Sequence, residues 1–95
     1  MKTDKVKNKA YKFTTEDQEW VIIAADNKYS AQFYYMKEYN LSEKDYERAN
    51  IKMTKVSPKE KCKVPFFEKG TTIGYVLNVI KFFPRIISDS EDILN

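Results

Sequence analysis

The most apolar segment of the chain covers residues 61–83, with the sequence KCKVPFFEKGTTIGYVLNVIKFF. Apolar and polar residues alternate at its start, the apolar ones being Cys62, Val64 and Phe66. A period of two predicts a strand with one buried face. Pro65 has no N–H to donate, so this strand is expected at a sheet edge or a bulge. Residues 67–71 predict a hairpin loop, because Gly70 stands where such a loop needs a left-handed residue.

The second part of this segment, residues 72–83, is rich in β-branched and aromatic residues and contains no Ala, Glu or Gln. This composition favours a long strand that is buried on both faces for much of its length. A buried helix is the alternative, since the few residues that are not large and apolar share one narrow helical stripe: Gly74, Asn78, Lys81 and Arg85. Periodicity alone does not separate the two structures. Pro84 ends either element.

The length of 95 residues predicts one domain. Seven Tyr, six Phe and one Trp can build a core in a chain this short. We expect residues 1–9 to be a flexible basic N-terminus and residues 10–95 to form a single α+β domain. Its predicted architecture is a small antiparallel sheet of about five strands with one main helix and short extra helices.

The absence of histidine excludes His general bases, Ser-His and Cys-His nucleophile pairs, and His-ligated zinc. The single cysteine, Cys62, lies on the apolar face of its predicted strand and is expected to be an inert buried thiol. We therefore expect no enzymatic activity, no catalytic residues, no cofactor and no metal. The sequence has neither an apolar signal region nor a run of membrane-spanning length, which indicates a cytoplasmic protein without membrane contact.

Alternating residues and turn signals predict a hairpin over residues 10–25, followed by a helix over 28–39 with an N-cap at Asp26-Asn27. Three acidic residues, Glu16, Asp17 and Glu19, lie at the hairpin tip. Without a further ligand nearby, such a cluster is typical of a solvated loop.

The second half of the chain is predicted to begin with a helix break at Asn40-Leu41 and a short helix over 43–49. Ser42 and Asp45 form a capping-box pattern at the start of that helix. A strand over 51–56 and a turn at 57–60 follow. A second capping-box pattern begins at Ser88 and predicts a short terminal helix through Leu94.

The helix over 28–39 carries more aromatic residues than one buried stripe can hold. Two neighbouring faces carry most of these side chains: Tyr29, Phe33 and Met36 on one, Ala31 and Tyr35 on the other. One interpretation is that these faces pack on the sheet, and the other is that surplus tyrosines are exposed as a contact patch. The surplus predicts that Tyr34 or Tyr39 is exposed, as a contact for a partner, because Tyr is enriched at interface hot spots.

The first forty residues resemble a pattern found in short proteins of Gram-positive phages and mobile elements. The matching parts are the alternating Tyr11-Lys12-Phe13-Thr14, the run Trp20-Val21-Ile22-Ile23-Ala24-Ala25-Asp26, and Ala31 with Tyr35. The resemblance implies an accessory role, often that of binding and blocking a host protein; anti-CRISPR proteins are one such group. No individual functional residue follows from it.

Charge is unevenly distributed along the chain. Residues 1–12 carry five Lys and one Asp, residues 13–50 carry four basic and eight acidic groups, and residues 51–70 carry six Lys and two Glu. The last segment supplies a candidate contact surface for an acidic or nucleic-acid-binding partner. With the exposed tyrosines, the predicted partner-binding residues are Tyr34, Tyr39, Lys52, Lys55, Lys59, Lys61 and Lys63.

An alternative arrangement is a helix-turn-helix followed by a wing. The helices over 28–39 and 43–49 would form the helix-turn-helix, and a hairpin over 51–67 would be the wing. The nucleic-acid contacts would then come from Lys44 and Arg48 on the second helix and from Lys59, Lys61 and Lys63 on the wing.

The sequence as a whole favours a small, non-enzymatic, cytoplasmic binding protein of phage or mobile-element type. Such a protein would inhibit or modulate a host macromolecule, for example a nuclease or a defence complex. The alternative is a DNA-binding accessory protein or regulator with the wing described above. A homodimer with the apolar segment 61–83 as its interface is a third arrangement that the sequence allows.

Overall fold

Six strands and three helices make up the described chain. The computed structural model describes residues 9–64, 67–79 and 84–90, and between residues 62 and 71 it describes the backbone only. The strands are β1 (Lys9–Thr14), β2 (Trp20–Ala25), β3 (Lys52–Val56), β4 (Lys61–Val64), β5 (Phe67–Thr72) and β6 (Arg85–Asp89). The helices are α1 (Lys28–Glu38), α2 (Glu43–Arg48) and α3 (Ile73–Val79). The α+β class is confirmed.

The main sheet has four antiparallel strands in the order β3-β1-β2-β6, and β4 pairs with β5 in a separate two-stranded sheet. The prediction of one sheet with about five strands is therefore wrong for the described residues. The hairpin over 10–25 is confirmed, with Lys9 opposite Ala25 and Thr14 opposite Trp20. Lys9, which was expected to lie in the flexible N-terminus, is the first residue of β1.

The long strand predicted over residues 72–83 is wrong where it is described, because residues 73–79 form α3. The first two N–H groups of this helix donate hydrogen bonds to the turn that precedes β4. Ile73 N–H donates to the Glu60 carbonyl (2.8 Å), and Gly74 N–H donates to the Pro58 carbonyl (2.8 Å). These contacts outweigh the weak preference of β-branched residues for strands. Residues 80–83 lie outside the described residues.

Gly74 allows α3 to lie directly against the turn that precedes β4. A Cβ atom at this position would lie 3.2 Å from the Pro58 carbonyl oxygen and 3.3 Å from the Pro58 Cβ. Glycine therefore permits the close approach that the hydrogen bond to Pro58 requires. At the same end of the helix, Tyr75 N–H donates to Thr72 Oγ1 (3.2 Å), so Thr72 acts as a cap.

The loop predicted over residues 67–71 is also wrong, since this segment belongs to β5 and pairs with β4. Lys61 lies opposite Thr72, and Val64 lies opposite Phe67. The connection between the two strands, with the edge position predicted for Pro65, lies outside the described residues. So does the side chain of Cys62.

The helices α1 and α2 begin at the predicted caps. The Asn27 side chain accepts a hydrogen bond from Ser30 N–H (2.9 Å), and Ser42 Oγ accepts one from Asp45 N–H (3.1 Å). Caps of this kind contribute about 1 kcal/mol each. The predicted break at Asn40 is confirmed: its φ is 56°, and the Leu41 N–H donates to the Met36 carbonyl (2.8 Å). This is the Schellman arrangement that ends many helices.

Both faces of the main sheet are covered, which explains why residues 21–25 of β2 are buried without interruption. The α1 face combines aromatic and aliphatic residues, with Tyr11, Phe13, Val21, Ile23, Ala25, Ala31 and Tyr35 at its centre and Tyr34 and Tyr46 packed against them. The α3 face is mainly aliphatic, and the half-buried Trp20 packs against it; its buried residues are Ala10, Ile22, Ala24, Val56, Ile73, Val76, Leu77 and Ile87. The buried residues of α3 thus pack on the chain's own sheet.

The helix predicted to start at Ser88 is wrong at its beginning, because Ser88 lies within β6 and is buried opposite Ile22. Trp20 N–H donates to Ser90 Oγ (3.1 Å), so this polar segment holds the edge of β2 instead of capping a helix at Ser88. Ser90 is helical, as predicted, and the rest of the predicted helix, residues 91–94, lies outside the described residues. Within the described part of the chain, no helix has the length and apolar character needed to span a membrane.

Candidate functional site

The outer face of α1 carries two exposed aromatic side chains. Tyr29 is 73% exposed and Phe33 is 68% exposed, although both are large and mostly apolar. They are four residues apart, so they lie side by side along the helix. The opposite face of α1 is held on the sheet by Ala31 and Tyr35, both buried. We call Tyr29 and Phe33 the α1 ridge.

Two lysines stand at the ends of the α1 ridge. The Lys28 ammonium lies 5.3 Å from the centre of the Tyr29 ring, within the range of a cation–π contact. Lys37 is exposed and follows Phe33 by one further helical turn. The ridge is therefore an apolar strip with a positive charge near each end, and a complementary surface would be an apolar groove bordered by carboxylates.

The prediction that Tyr34 or Tyr39 is exposed is confirmed by Tyr39, whereas Tyr34 is half-buried against the aromatic core. The interpretation in which Tyr29 and Phe33 pack on the sheet is wrong, because both are exposed. The two candidate faces of the helix are adjacent, and the small side chain of Ala31 lets the other face approach the sheet closely. The position of Ala31 in the sequence could therefore have identified the buried face of α1. With that face on the sheet, the α1 ridge faces solvent.

Beneath the helix, aromatic rings are stacked in a continuous series. The Phe13 and Tyr35 rings lie 4.7 Å apart and almost parallel, and Tyr39 continues the series 4.8 Å from Tyr35. The Tyr46 ring of α2 meets Tyr35 edge-on at 6.1 Å. Such pairs contribute about 0.5–1.5 kcal/mol beyond the burial of their area. They fix the orientation of α1 and hence the direction of the ridge.

The buried tyrosines of this face resist ionisation. Burial raises the pKa of Tyr35 above its ordinary value, and the neighbouring Tyr39, Tyr46 and Glu19 raise it further. Burial likewise raises the pKa of Tyr46. The pKa of Tyr11 is raised by burial and by the Asp26 carboxylate. These hydroxyls are therefore neutral hydrogen-bonding groups and poor candidates for proton transfer at neutral pH.

The predicted lysine contacts are spread over several elements. Lys52 and Lys55 are exposed on β3, an edge strand, and an odd separation in a strand directs them to opposite faces of the sheet. Lys59 is exposed in the turn before β4, and Lys61 is exposed at the start of β4. The backbone of Lys63 lies in β4, and its side chain is outside the described residues. Lys59 and Lys61 are thus both exposed and close in sequence, whereas Lys52 and Lys55 are directed to opposite faces of the sheet.

The predicted wing over residues 51–67 is wrong, because β3 pairs with β1 and β4 pairs with β5. Strands that belong to different sheets cannot form one hairpin. Lys44 and Arg48 are both exposed and lie four residues apart on α2, on the side away from the half-buried Tyr46. A helix of six residues carries them.

Two acidic residues of the hairpin tip, Glu16 and Glu19, have different surroundings. Glu16 accepts a hydrogen bond from the Asn50 side chain (2.9 Å), which ties the tip to the segment between α2 and β3. Asn50 itself has a left-handed φ of 53° at the end of α2. Glu19 lies on the other side of the tip, next to the aromatic stack. Within the described residues, no three His, Cys, Asp or Glu side chains come together as a metal site.

Comparison with known proteins finds no matching family model, no matching curated protein and no matching solved structure. The functional argument therefore rests on the residues and contacts of this chain.

Proposed function

We propose that this protein is a small, non-enzymatic binding protein that docks the α1 ridge into an apolar groove of a protein partner. The observation that carries the proposal is the exposure of Tyr29 and Phe33, side by side on a helix whose other face is fully used by the core. Exposed aromatic residues at helical spacing are typical of helices that bind in grooves. Aromatic side chains are also the commonest hot spots of protein interfaces.

The helix is well suited to present such a ridge. It is capped at both ends, and the stacked rings of Phe13 and Tyr35 fix it on the sheet. A rigid helix loses little conformational freedom on binding, so more of the contact energy contributes to affinity. The lysines at the ridge ends favour a groove with an acidic border and exclude a groove with a basic one.

The biological role that we propose is occlusion. By occupying a groove that a host macromolecule needs, the protein would inhibit or modulate that macromolecule, for example a nuclease or a defence complex. The resemblance of the first forty residues to short proteins of phages and mobile elements supports this role, as does the small size of the chain. The proposed location is the cytoplasm, where such host partners act.

The first experiment is a pull-down from host lysate with the tagged protein, performed after nuclease treatment. We expect one protein to be retained in near-stoichiometric amount by the wild type. Replacing both ridge residues, Tyr29→Ala with Phe33→Ala, should reduce the affinity for that protein by about tenfold or more. Inhibition is then tested by titrating the partner's own activity with the wild type and with the double variant.

The matched control is a second pair of exposed apolar residues with the same spacing. Tyr75 is 49% exposed and Val79 is 45% exposed, four residues apart on α3. Tyr75→Ala with Val79→Ala should leave partner affinity unchanged. Equal loss of affinity in both double variants, or no loss in either, would contradict the ridge as the docking surface.

Nucleic acid as the partner is a distinct outcome of the same experiment. If all co-purifying protein disappears on nuclease treatment and binding weakens steeply with salt, the protein contacts phosphates. Replacing Lys59 and Lys61 with Ala should then reduce the salt dependence. That result would replace the proposed docking mode.

A further inference from the structure

A second candidate site lies at the other end of α1, where a cleft of about 360 Å³ opens between the sheet and the helix. It is at the smaller end of the size range of ligand pockets. Its lining residues come from β1, β2, α1, β6 and the segments that flank α2: Phe13, Thr15, Glu19, Trp20, Val21, Tyr35, Tyr39, Leu41, Ala49, Ile51, Asp89 and Ser90.

The register of the sheet places two carboxylates at this cleft. Asp89 lies opposite Val21 in the pairing of β6 with β2. Glu19 lies directly before β2, and it lines the cleft together with Asp89, Val21 and Phe13. Glu19 also lies close enough to Tyr35 to affect that hydroxyl. The two carboxylates come from segments that are far apart in the sequence.

The charge of the cleft is opposite to that of the chain. The protein has 17 basic and 14 acidic residues, yet among the described lining residues there are two carboxylates and no Lys or Arg. The nearby Lys12 ammonium lies over the Trp20 ring, 4.7 Å from its centre, and does not line the cleft. A cation entering the cleft therefore meets no like charge among these lining residues.

The remaining walls of the cleft are aromatic and aliphatic. On one side the stack of Phe13 and Tyr35 ends in Tyr39, whose ring is exposed. On the other side lie Leu41 and Ile51, both half-buried. Aromatic rings attract cations over their faces, and aliphatic side chains accept an alkyl chain.

From this arrangement we propose that the cleft binds an organic cation, an ammonium or guanidinium group on an alkyl chain. Glu19 and Asp89 would pair with the charged group, and Tyr39 and the aliphatic wall would contact the alkyl chain. Charge-assisted hydrogen bonds to carboxylates are strong and directional. A lysine or arginine side chain of a partner and a free aliphatic amine share this chemistry. The site is separate from the α1 ridge and does not depend on its function.

The test uses three probes with short alkyl chains and different charge: n-butylguanidinium, n-butanol and butyrate. Binding is followed by NMR shifts of the backbone amides, with Val21 and Ile51 as reporters inside the cleft and residues of α3 as references outside it. We expect saturable shifts in the cleft with n-butylguanidinium only. Saturation by n-butanol at the same concentrations, or no saturable shift with the cation, would overturn the proposal.

The variants distinguish the cleft from general surface charge. Glu19→Gln should weaken n-butylguanidinium binding by about tenfold, and Tyr39→Leu should weaken it by a smaller factor because the ring face is lost. The matched control is Glu16→Gln, which removes the same charge from the other side of the hairpin tip and should leave binding unchanged. Equal effects of Glu16→Gln and Glu19→Gln would overturn the proposal.

Two further comparisons identify the source of the cation and separate this site from the ridge. Tighter binding of a short arginine-containing peptide than of n-butylguanidinium assigns the cleft to a partner's side chain. Tighter binding of a free diamine such as cadaverine assigns it to a small amine. Tyr29→Ala with Phe33→Ala should leave the binding of every probe unchanged, whatever that double variant does to partner capture.

Discussion

The two faces of the main sheet are built by different means. On the α1 face, a ring from β1 stacks on a ring from α1 and a ring from α2 meets it edge-on, and tyrosine hydroxyls and a cleft lie among them. On the α3 face, Ile73, Val76 and Leu77 pack against small and branched aliphatic side chains. The α1 face has directional contacts between rings, whereas the α3 face depends mainly on buried area and volume, with Ser88 as a buried polar residue and Trp20 packed at its border.

The difference indicates where binding sites can arise. An aliphatic core offers no polar groups to a ligand, and its energy depends on close packing. An aromatic layer leaves irregular spaces between flat rings, and its tyrosines bring hydroxyls to the border with water. Both proposed sites of this protein lie on the α1 side: the ridge on the outside of the helix and the cleft at its end.

The largest expected effect comes from deleting a ring in the stack. Phe13→Ala should lower the free energy of unfolding by about 3–5 kcal/mol, because Phe13 is fully buried and supports Tyr35. Ile73→Ala on the opposite face should cost about 2–5 kcal/mol. Urea denaturation gives both values. The near-ultraviolet circular dichroism of the native state should change in Phe13→Ala and stay as in the wild type in Ile73→Ala. Equal changes in both variants would contradict the proposed difference between the two faces.

A double-mutant cycle sharpens the contrast further. The stacked pair Phe13 and Tyr35 should show a coupling energy of about 0.5–1.5 kcal/mol in unfolding experiments on Phe13→Leu, Tyr35→Leu and the double variant. The same cycle for Tyr35 and Ile73, which lie on opposite faces, should give a coupling near zero. Similar coupling in both cycles would mean that the sheet transmits packing changes from one face to the other.

A smaller difference between the two faces is expected in the loss of folding stability at alkaline pH. The pKa of Tyr35 is raised in the folded protein, mainly by burial, so the unfolded chain releases this proton first. Stability from this group is complete below the unfolded pKa of about 10 and is lost as pH rises towards the folded value. In thermal unfolding above pH 10, Tyr35→Phe should therefore lose stability less steeply than the wild type. Ile73→Val serves as the reference and should follow the wild-type slope.

The smallest effect on stability is expected at the ridge. Tyr29→Ala with Phe33→Ala removes two exposed side chains from the outside of α1, and each substitution should change the free energy of unfolding by no more than about 0.5 kcal/mol. Denaturation by urea is the measurement. A large loss of stability would show that the two rings support the fold, and would weaken the argument that they are displayed for a partner.

Local signals in the sequence were enough for the first half of the fold. The hairpin follows from alternation and a polar turn, and the helices α1 and α2 follow from Asn27 and Ser42 as caps. These interactions join residues that are close in sequence, so they can be predicted from the sequence alone. The exposed Tyr39 follows from the number of rings on one short helix.

Contacts between segments that are far apart in the sequence could not be predicted from local sequence signals. The helix α3 depends on carbonyls of Pro58 and Glu60, and its β-branched residues favoured a strand when taken alone. The partner of β3 is β1, not its sequence neighbour β4. The cleft could not be predicted, because Glu19 and Asp89 are brought to the same cleft only by the pairing of β2 with β6. The ridge was misassigned because two adjacent helix faces carried similar aromatic residues.

The position of β6 has a consequence for synthesis on the ribosome. Trp20 at the edge of β2 is held by Ser90, 70 residues further along the chain. By then the nascent chain already contains β1, β2, β3 and both helices of the aromatic face. At about 5–20 residues per second, the open edge of β2 waits several seconds for its last neighbour. During that interval the unpaired edge of β2 is a template on which another nascent chain can pair.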